Sequence, residues 1–465
     1  MTARLSRVSK LFVDRDHLPE DKALARRRAF AVTLVCGPDV ANSYVLQLAA
    51  LTAANNASRC FPGAVKVMAD PVLRAAPLKI WPSLKTTFGQ MLMTYVGTSA
   101  LTAPEEIARQ AILIGDVPEI DGALRLTFDG WIAKVGPARE VVRMPEREFC
   151  SVAGVLAASL AISELFMSFA EVSVEATHRT VGLSLWRPDL AIADTEALGI
   201  PVQFLPRELW ALGLGHLGNA YLWSLATLPY ADPKAVTFTL GDFDKVEIDN
   251  YETGLLFDER SNGLKTRICA EWLEARGFET RLVERRIDAE FRCRVDEPQL
   301  ALCGFDKNES RRDIASARFG KLIESGLGDT SDNFDTISVH TLPNRRSLDD
   351  LWPVLTPEQI ETRRLERERF VRENPAYSNL GDDECGKVEL AGKSVAVPFV
   401  GTVAATLVVA EALRLFHEGP AYTDLKLRLG TPNTRAFRTV RNYVARDAAS
   451  LKYAEAGQQR KFLET

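Results

Sequence analysis

Apolar positions along this chain come in stretches that recur. Residues 28–51, RAFAVTLVCGPDVANSYVLQLAAL, form an apolar block, a Gly-Pro-Asp break and a second apolar block with helical spacing. Residues 213–228, GLGHLGNAYLWSLATL, have the same character. Setting Ala41 against Gly218 pairs Asn42 with Asn219, Tyr44 with Tyr221, Leu48 with Leu225, Ala49 with Ala226 and Leu51 with Leu228. Each stretch predicts a buried strand, a tight turn and an apolar helix, the opening of a nucleotide-binding α/β unit.

A second pair recurs further on. VAGVLAASLAISELF (152–166) and FVGTVAATLVVAEAL (399–413) share Gly154/Gly401, Ala157/Ala404, Ala158/Ala405, Leu160/Leu407 and Glu164/Glu411. Small residues at this spacing predict helices that pack closely. Two matches in the same order predict a duplicated α/β fold. Two doubly wound, Rossmann-like lobes, 1–195 and 196–465, are expected to form a pseudo-dimer within one chain. The boundary is expected in Trp186–Arg207, where three prolines break the periodicity. The copies differ at the turn. The second keeps Gly213, Gly215 and Gly218; the first has Cys36, Pro38 and Ala41 there. Proline gives a phosphate no N–H, and side chains bar close approach of the backbone. The second half therefore reads as the working copy and the first as a degenerate one.

Composition narrows the class. The chain has 465 residues, 46% apolar and 26% charged, ordinary for a globular protein of several domains. The 57 Lys and Arg against 62 Asp and Glu leave a net charge of −5, which argues against nucleic acid as the main partner. No apolar run is expected to reach the ~18–20 residues of a membrane span. The N-terminus MTARLSRVSKLF has no signal-peptide pattern. Seven scattered cysteines without a CxxC pair argue against a disulfide framework and a cysteine-rich zinc site, and point to a reducing, cytoplasmic setting.

GLGHLG alone suits a phosphate or a merely tight strand–helix turn equally well. The residues after it say more. A strand over Val236–Leu240 ends at Gly241-Asp242, which sets a carboxylate where a ribose hydroxyl is bound. Asp244, Val246, Glu247, Asp249 and Asn250 follow, Gly263-Leu264-Lys265 opens a helix, and a third strand ends towards Asp306, with Arg311 five residues on. The set of glycine loop, D-x-D-x-V-E-x-x-N, helix-opening Lys and strand-end Asp resembles the ThiF/MoeB/ubiquitin-activating superfamily. The resemblance covers about 200–440, and the first half more weakly by motif order.

That resemblance implies an enzyme that adenylates the C-terminal glycine of a ubiquitin-like protein with ATP and magnesium. By position, the three glycines would cradle the nucleotide and Asp242 would hold its ribose. Asn250 and Lys265 would hold the phosphates and Asp306 the magnesium. A carboxylate attacking an α-phosphate brings two anions together, so cations suit the site. Family members carry an R-x-x-R element whose second Arg reaches the nucleotide of the opposite lobe. Arg4-Leu5-Ser6-Arg7 stands in that place, although a flexible basic arm reads the same. The chain departs from the family in three places. Thr253 replaces the Arg that usually follows the Asn, Lys265 comes one residue early, and His216 stands where many members have Gly. A phosphate contact is then either missing or supplied from elsewhere, and Arg7 is one such supply.

Cys36, Cys269 and Cys303 lie in apolar patterns and read as core residues. Cys60 and Cys150 belong to the degenerate half, and Cys293 has no motif around it. Cys385 lies in NLGDDECGKVELAGKSVAVPF, read as a polar loop (about 374–397) before the second small-residue helix. The family often has its catalytic cysteine there, which implies a thioester on Cys385 and transfer to a conjugating enzyme. The residues alone leave an ordinary loop cysteine open, and Asp382, Asp383 and Glu384 would raise its pKa. Fused inactive and active lobes with a short cysteine loop resemble the activating enzymes of bacterial ubiquitin-like defence operons, the BilD type, and imply a part in antiviral defence. The charged stretch between Pro343 and Pro375 predicts a solvated helix or a lid.

Three other functions fit part of the pattern. A sulfur-carrier adenylyltransferase shares the first step without a thioester. A nicotinamide-dependent oxidoreductase explains GLGHLG and Asp242 but not Lys265, Asp306 or the duplication. A non-catalytic scaffold explains only the degenerate half.

Overall fold

The computed structural model describes residues 5–98, 110–380 and 384–457. Arg4, Asp382 and Asp383 lie outside the described residues. The first half holds β1 (Val32–Cys36), β2 (Val65–Met68), β3 (Gln110–Ile114), β4 (Leu124–Asp129), β5 (Ile132–Pro137) and β6 (Val181–Ser184). They form one sheet in the order β2-β1-β3-β4-β5-β6, parallel as far as β4 and antiparallel beyond.

The second half holds β7 (Phe204–Pro206), β8 (Glu208–Leu212), β9 (Thr237–Gly241), β10 (Glu279–Val283) and β11 (Leu300–Cys303). It continues with β12 (Lys321–Leu327), β13 (Thr336–Leu342), β14 (Pro420–Arg428), β15 (Arg435–Asn442) and β16 (Tyr453–Glu455). Its sheet runs β10-β9-β8-β11-β12-β13-β14-β15, parallel from β10 to β12 and antiparallel from there. The central run β9-β8-β11-β12-β13-β14 repeats the plan of the first sheet, with one further strand at each edge. β7 and β16 form a separate ribbon.

The helices are α1 (Lys10–Asp16), α2 (Glu20–Ala29), α3 (Tyr44–Cys60), α4 (Pro71–Ala75), α5 (Phe88–Val96) and α6 (Val152–Phe169) in the first half. In the second they are α7 (His216–Ala226), α8 (Lys265–Glu274), α9 (Asn308–Ala315), α10 (Leu348–Leu351), α11 (Pro357–Glu373), α12 (Glu384–Gly392) and α13 (Pro398–Phe416). The repeated segments occupy equivalent places: α3 follows β1 as α7 follows β8, and α6 precedes β6 as α13 precedes β14. α6 packs on α13, α3 on α6 and α7 on α13, while α6 covers β4 and β5 and α13 covers β12 and β13.

The small residues explain this closeness. A Cβ on Gly154 would stand 2.5 Å from Val45 Cγ1, and one on Gly401 would stand 2.4 Å from His216 Nε2. Buried polar groups fix the register between the halves. Trp223 Nε1 donates to Thr52 Oγ1 at 3.1 Å, Thr402 Oγ1 to Asn56 Oδ1 at 3.1 Å, and Asn55 Nδ2 to the Leu255 carbonyl at 3.1 Å.

Two expectations change here. α6 and α13 are 18 and 19 residues long with mean hydropathy 1.8 and 1.7, so runs of membrane-spanning length and composition do occur. Both are 94% buried within the protein, where helices apolar on every side belong to a large core. The N-terminal segment is also no free arm. Leu5 and Val13 pack with Val371, Tyr377, Leu380 and Leu390 from the second half. α11 is the charged helix expected between Pro343 and Pro375, capped by Thr356 and carrying the pairs Arg364–Glu361 and Arg369–Glu373.

Candidate active site

β8 lies between β9 and β11, where the chain's crossovers change direction, and α/β sheets bind ligands beyond the strand ends at such a point. Three segments converge there: the glycine loop after β8, Asp242 after β9 and Asp306 after β11. With others they line a cavity of about 850 Å³. Gly213 has φ +74°, a conformation that glycine adopts without strain. A Cβ on Gly218 would fall 2.1 Å from the Gly213 carbonyl oxygen, so only glycine lets α7 start so close to the turn. A Cβ on Gly215 would meet nothing within 4 Å, which leaves room at the N-terminus of α7, where free N–H groups favour an anion.

Asp242 organises the loop. Its carboxylate accepts the N–H of Leu214 at 2.6 Å and of Asp244 at 2.8 Å. Burial pushes its pKa up, and the nearby Lys265 charge works against that. A carboxylate has lone pairs for more than two partners, so it can still accept from a hydroxyl. Lys265 is the first residue of α8 and its Nζ donates to Asp244 Oδ2 at 3.0 Å. Asn250 ends a short 3-10 turn whose start it caps, accepting the Glu247 N–H at 2.9 Å.

Arg7 enters this cavity from the first half. Its Nε donates to the Ser394 carbonyl at 3.0 Å, its Nη2 donates to Ser394 Oγ, and its own carbonyl accepts the Ala396 N–H at 3.2 Å. Burial lowers its pKa, while the charges of Asp306 and Asp249 raise it. Arg7, the three glycine-loop residues' neighbourhood, Asp242, Asn250, Lys265 and Asp306 are thus brought together. Gly213 and Gly215 line the cavity; Gly218 supports it from behind.

His216 also lines the cavity. Its Nε2 is buried against Gly401 without a hydrogen-bond partner among the described residues. Burial and then the Arg7 charge lower its pKa to about 3, so the ring is neutral at ordinary pH.

Cys385 is not in the cavity wall. It is exposed, and it sits on α12 rather than in the loop expected for 374–397. Glu389 and Gly392 of the same helix do line the cavity, and Glu389 lies ~6 Å further along the helix axis. Cys36, Cys60, Cys150, Cys269 and Cys303 are buried, and burial raises each thiol's pKa. Cys293 is partly buried and its Sγ is 3.5 Å from the Pro298 carbonyl.

Several cavity residues escaped the sequence reading. Lys393 pairs with Asp249, and Ser394 anchors Arg7. Arg285, Arg286, Lys307 and Arg367 add positive charge. In the sequence Lys393 is one basic residue between short apolar stretches, 144 positions from its partner, and no periodicity marks it.

The equivalent place in the first half is filled. A Cβ on Gly37 would stand 2.5 Å from the Asp116 carbonyl oxygen. Asp39 accepts the Asp116 N–H at 2.7 Å and pairs with Arg143, which also holds Glu146.

The second-half cavity fits ATP and magnesium. The room at Gly215 suits a phosphate, and Arg7 and Lys265 offer the positive charge it needs. No group of three or more His, Cys, Asp or Glu able to hold a metal occurs among the described residues. One carboxylate is enough when substrate phosphates complete the shell, as is usual for magnesium.

The comparisons agree with the motifs. Residues 31–185 match the family model described as the BilD N-terminal domain, and residues 205–419 match the BilD C-terminal domain. The bacterial E1-like protein BilD of Collimonas sp. (strain OK412) is 34% identical over 430 residues, which cover 90% of each chain. Among solved structures, Escherichia coli MccB matches at 14% identity and TM-score 0.33, over 51% of this chain and 63% of its own. E. coli TcdA, a tRNA N6-threonylcarbamoyladenosine dehydratase, matches at 17% identity and TM-score 0.29, over 44% of this chain and 84% of its own. The chain belongs to the BilD family of bacterial E1-like proteins.

Proposed function

We propose that this protein activates a ubiquitin-like protein: it adenylates the C-terminal glycine with MgATP and then takes the acyl group onto Cys385 for a conjugating enzyme. The observation that carries the reading is Arg7. It comes from the first half, yet it lines the same cavity as Gly215, Lys265 and Asp306, and the Asp306 carboxylate acts on its charge. A simple nicotinamide site needs no such cation. The two halves then act as a pseudo-dimer, with residues 1–195 lending Arg7 to the one working site in 196–465.

In the first step a carboxylate oxygen of the partner attacks the α-phosphorus of ATP, the bond to the bridging oxygen breaks, and pyrophosphate leaves with that electron pair. Lys265 and Arg7 offset the charge that gathers on the phosphates. Asp242 accepts from a ribose hydroxyl. Asn250 orients the phosphates. Asp306 would hold magnesium, which when bound neutralises part of the triphosphate charge. In the second step the Cys385 thiolate attacks the acyl carbon and AMP leaves, giving a thioester. Cys385 lies outside the cavity wall, so this step requires α12 to approach or the adenylated tail to reach out.

The proposed setting, bacterial antiviral defence in the cytoplasm, rests on the family alone. ATP–pyrophosphate exchange with a ubiquitin-fold protein ending in glycine tests the first step. Exchange that requires both magnesium and that protein is expected, and its absence would remove the reading. Exchange without any thiol-sensitive adduct would favour the sulfur-carrier adenylyltransferase.

A further inference from the structure

The family's usual Arg after the Asn is Thr253 here, and this stretch cannot deliver a cation to the cavity. Thr253 is buried, and the turn around it is bound into the first half. The Arg59 guanidinium of α3 donates to the carbonyls of Tyr251, Leu255 and Phe257. Arg59 is thereby committed to backbone oxygens.

Lys393 reaches the start of the same turn. Its Nζ pairs with Asp249, the neighbour of Asn250, and all three residues line the cavity. The backbone that carries it is fixed: Ser394 takes the Arg7 guanidinium, the Val395 N–H donates to the Asp329 carbonyl at 2.9 Å, and the Ala396 N–H donates to the Arg7 carbonyl. The ammonium is therefore held on the mostly buried Asp249 carboxylate, in the cavity that Asn250 and Arg7 also line. A triphosphate is a stronger partner for an ammonium than one carboxylate.

We propose that Lys393 supplies the phosphate contact that Thr253 does not, exchanging Asp249 for phosphate oxygens of ATP. This rests on the adenylating reading and adds a residue to it. Lys393 directly follows α12, so the contact also ties the helix that carries Cys385 to the occupant of the cavity.

The test is titration calorimetry of MgATP into the full chain and its variants, with denaturant unfolding of each without nucleotide. Lys393→Ala is expected to weaken MgATP roughly tenfold to a hundredfold, the scale for one hydrogen bond to a charged group. Lys393→Arg is expected to bind close to wild type. Asp249→Asn frees the ammonium and removes a competing negative charge, so it is expected to bind at least as tightly as wild type. A purely structural ion pair would make Asp249→Asn lose as much as Lys393→Ala, and that result would overturn the proposal, as would an unchanged Lys393→Ala. If Lys393→Ala does not fold, Lys393→Gln serves in its place. A wild type that binds no MgATP overturns the adenylating reading itself, whereas wild-type binding with an unaffected Lys393 variant overturns this inference alone.

Discussion

Exposure separates Cys385 from the other cysteines. Burial raises the thiols of Cys36, Cys150 and Cys303 to about 12, so almost none is thiolate at neutral pH. Iodoacetamide at pH 7 should therefore label Cys385 first, as read by peptide mass spectrometry, and Cys385→Ala should abolish the fast phase. Fast labelling of a buried cysteine would contradict the packing. Arg7→Ala should slow pyrophosphate exchange roughly 10²–10³-fold, the scale for one transition-state donor. It should also lower stability by about 1–2 kcal/mol, because the bonds to Ser394 go with it. Unfolded, the His216 ring takes a proton near 6.5; folded, it stays neutral down to about 3. Between those values the unfolded state binds more protons, so stability rises with pH, is complete above about 6.5 and is lost as pH falls towards 3. His216→Gln should flatten the slope measured by denaturant unfolding between pH 4 and 7. An unchanged slope would assign it to other groups.

At the scale of elements, α6 and α13 depend on glycines that face different neighbours. Gly154→Ala meets Val45 in the first half, and Gly401→Ala meets His216 at the cavity. Each should cost about 1–3 kcal/mol by overpacking. Only Gly401→Ala should also slow pyrophosphate exchange, because the ring it displaces lines the cavity. Equal effects on exchange would break that distinction. The strand–turn–helix openings and the helix starting at Lys265 were legible in the sequence, because short-range turn chemistry and apolar spacing determine them. α12 was not. ECGKVELAG contains two glycines and shows little apolar periodicity, so it reads as loop, and its packing against α11 supplies what local propensity lacks. Lys393 with Asp249, Arg7 with Ser394 and Asp39 with Arg143 join residues far apart in the chain, and no local pattern records such pairs.

Across the whole molecule, helices of the two halves pack on one another, and Arg7 of the first half lines the second-half cavity. A chain of residues 196–465 alone would expose the face of α13 that α3 and α6 cover, leave Trp223 of α7 without Thr52, and lack Arg7. It should aggregate when expressed alone and copurify as a soluble complex with 1–195. A soluble monomer with full exchange activity would contradict the shared core. Whether adenylation in the second half feeds Cys385 is decided by one experiment on two proteins. A labelled ubiquitin-fold protein with a C-terminal glycine is mixed with MgATP and either the wild type or Cys385→Ala, and both covalent adduct and pyrophosphate exchange are followed. A thiol-sensitive adduct is expected on the wild type only, with exchange retained in both. A thiol-sensitive adduct on Cys385→Ala, or none on a wild type that exchanges pyrophosphate, would contradict transfer to Cys385.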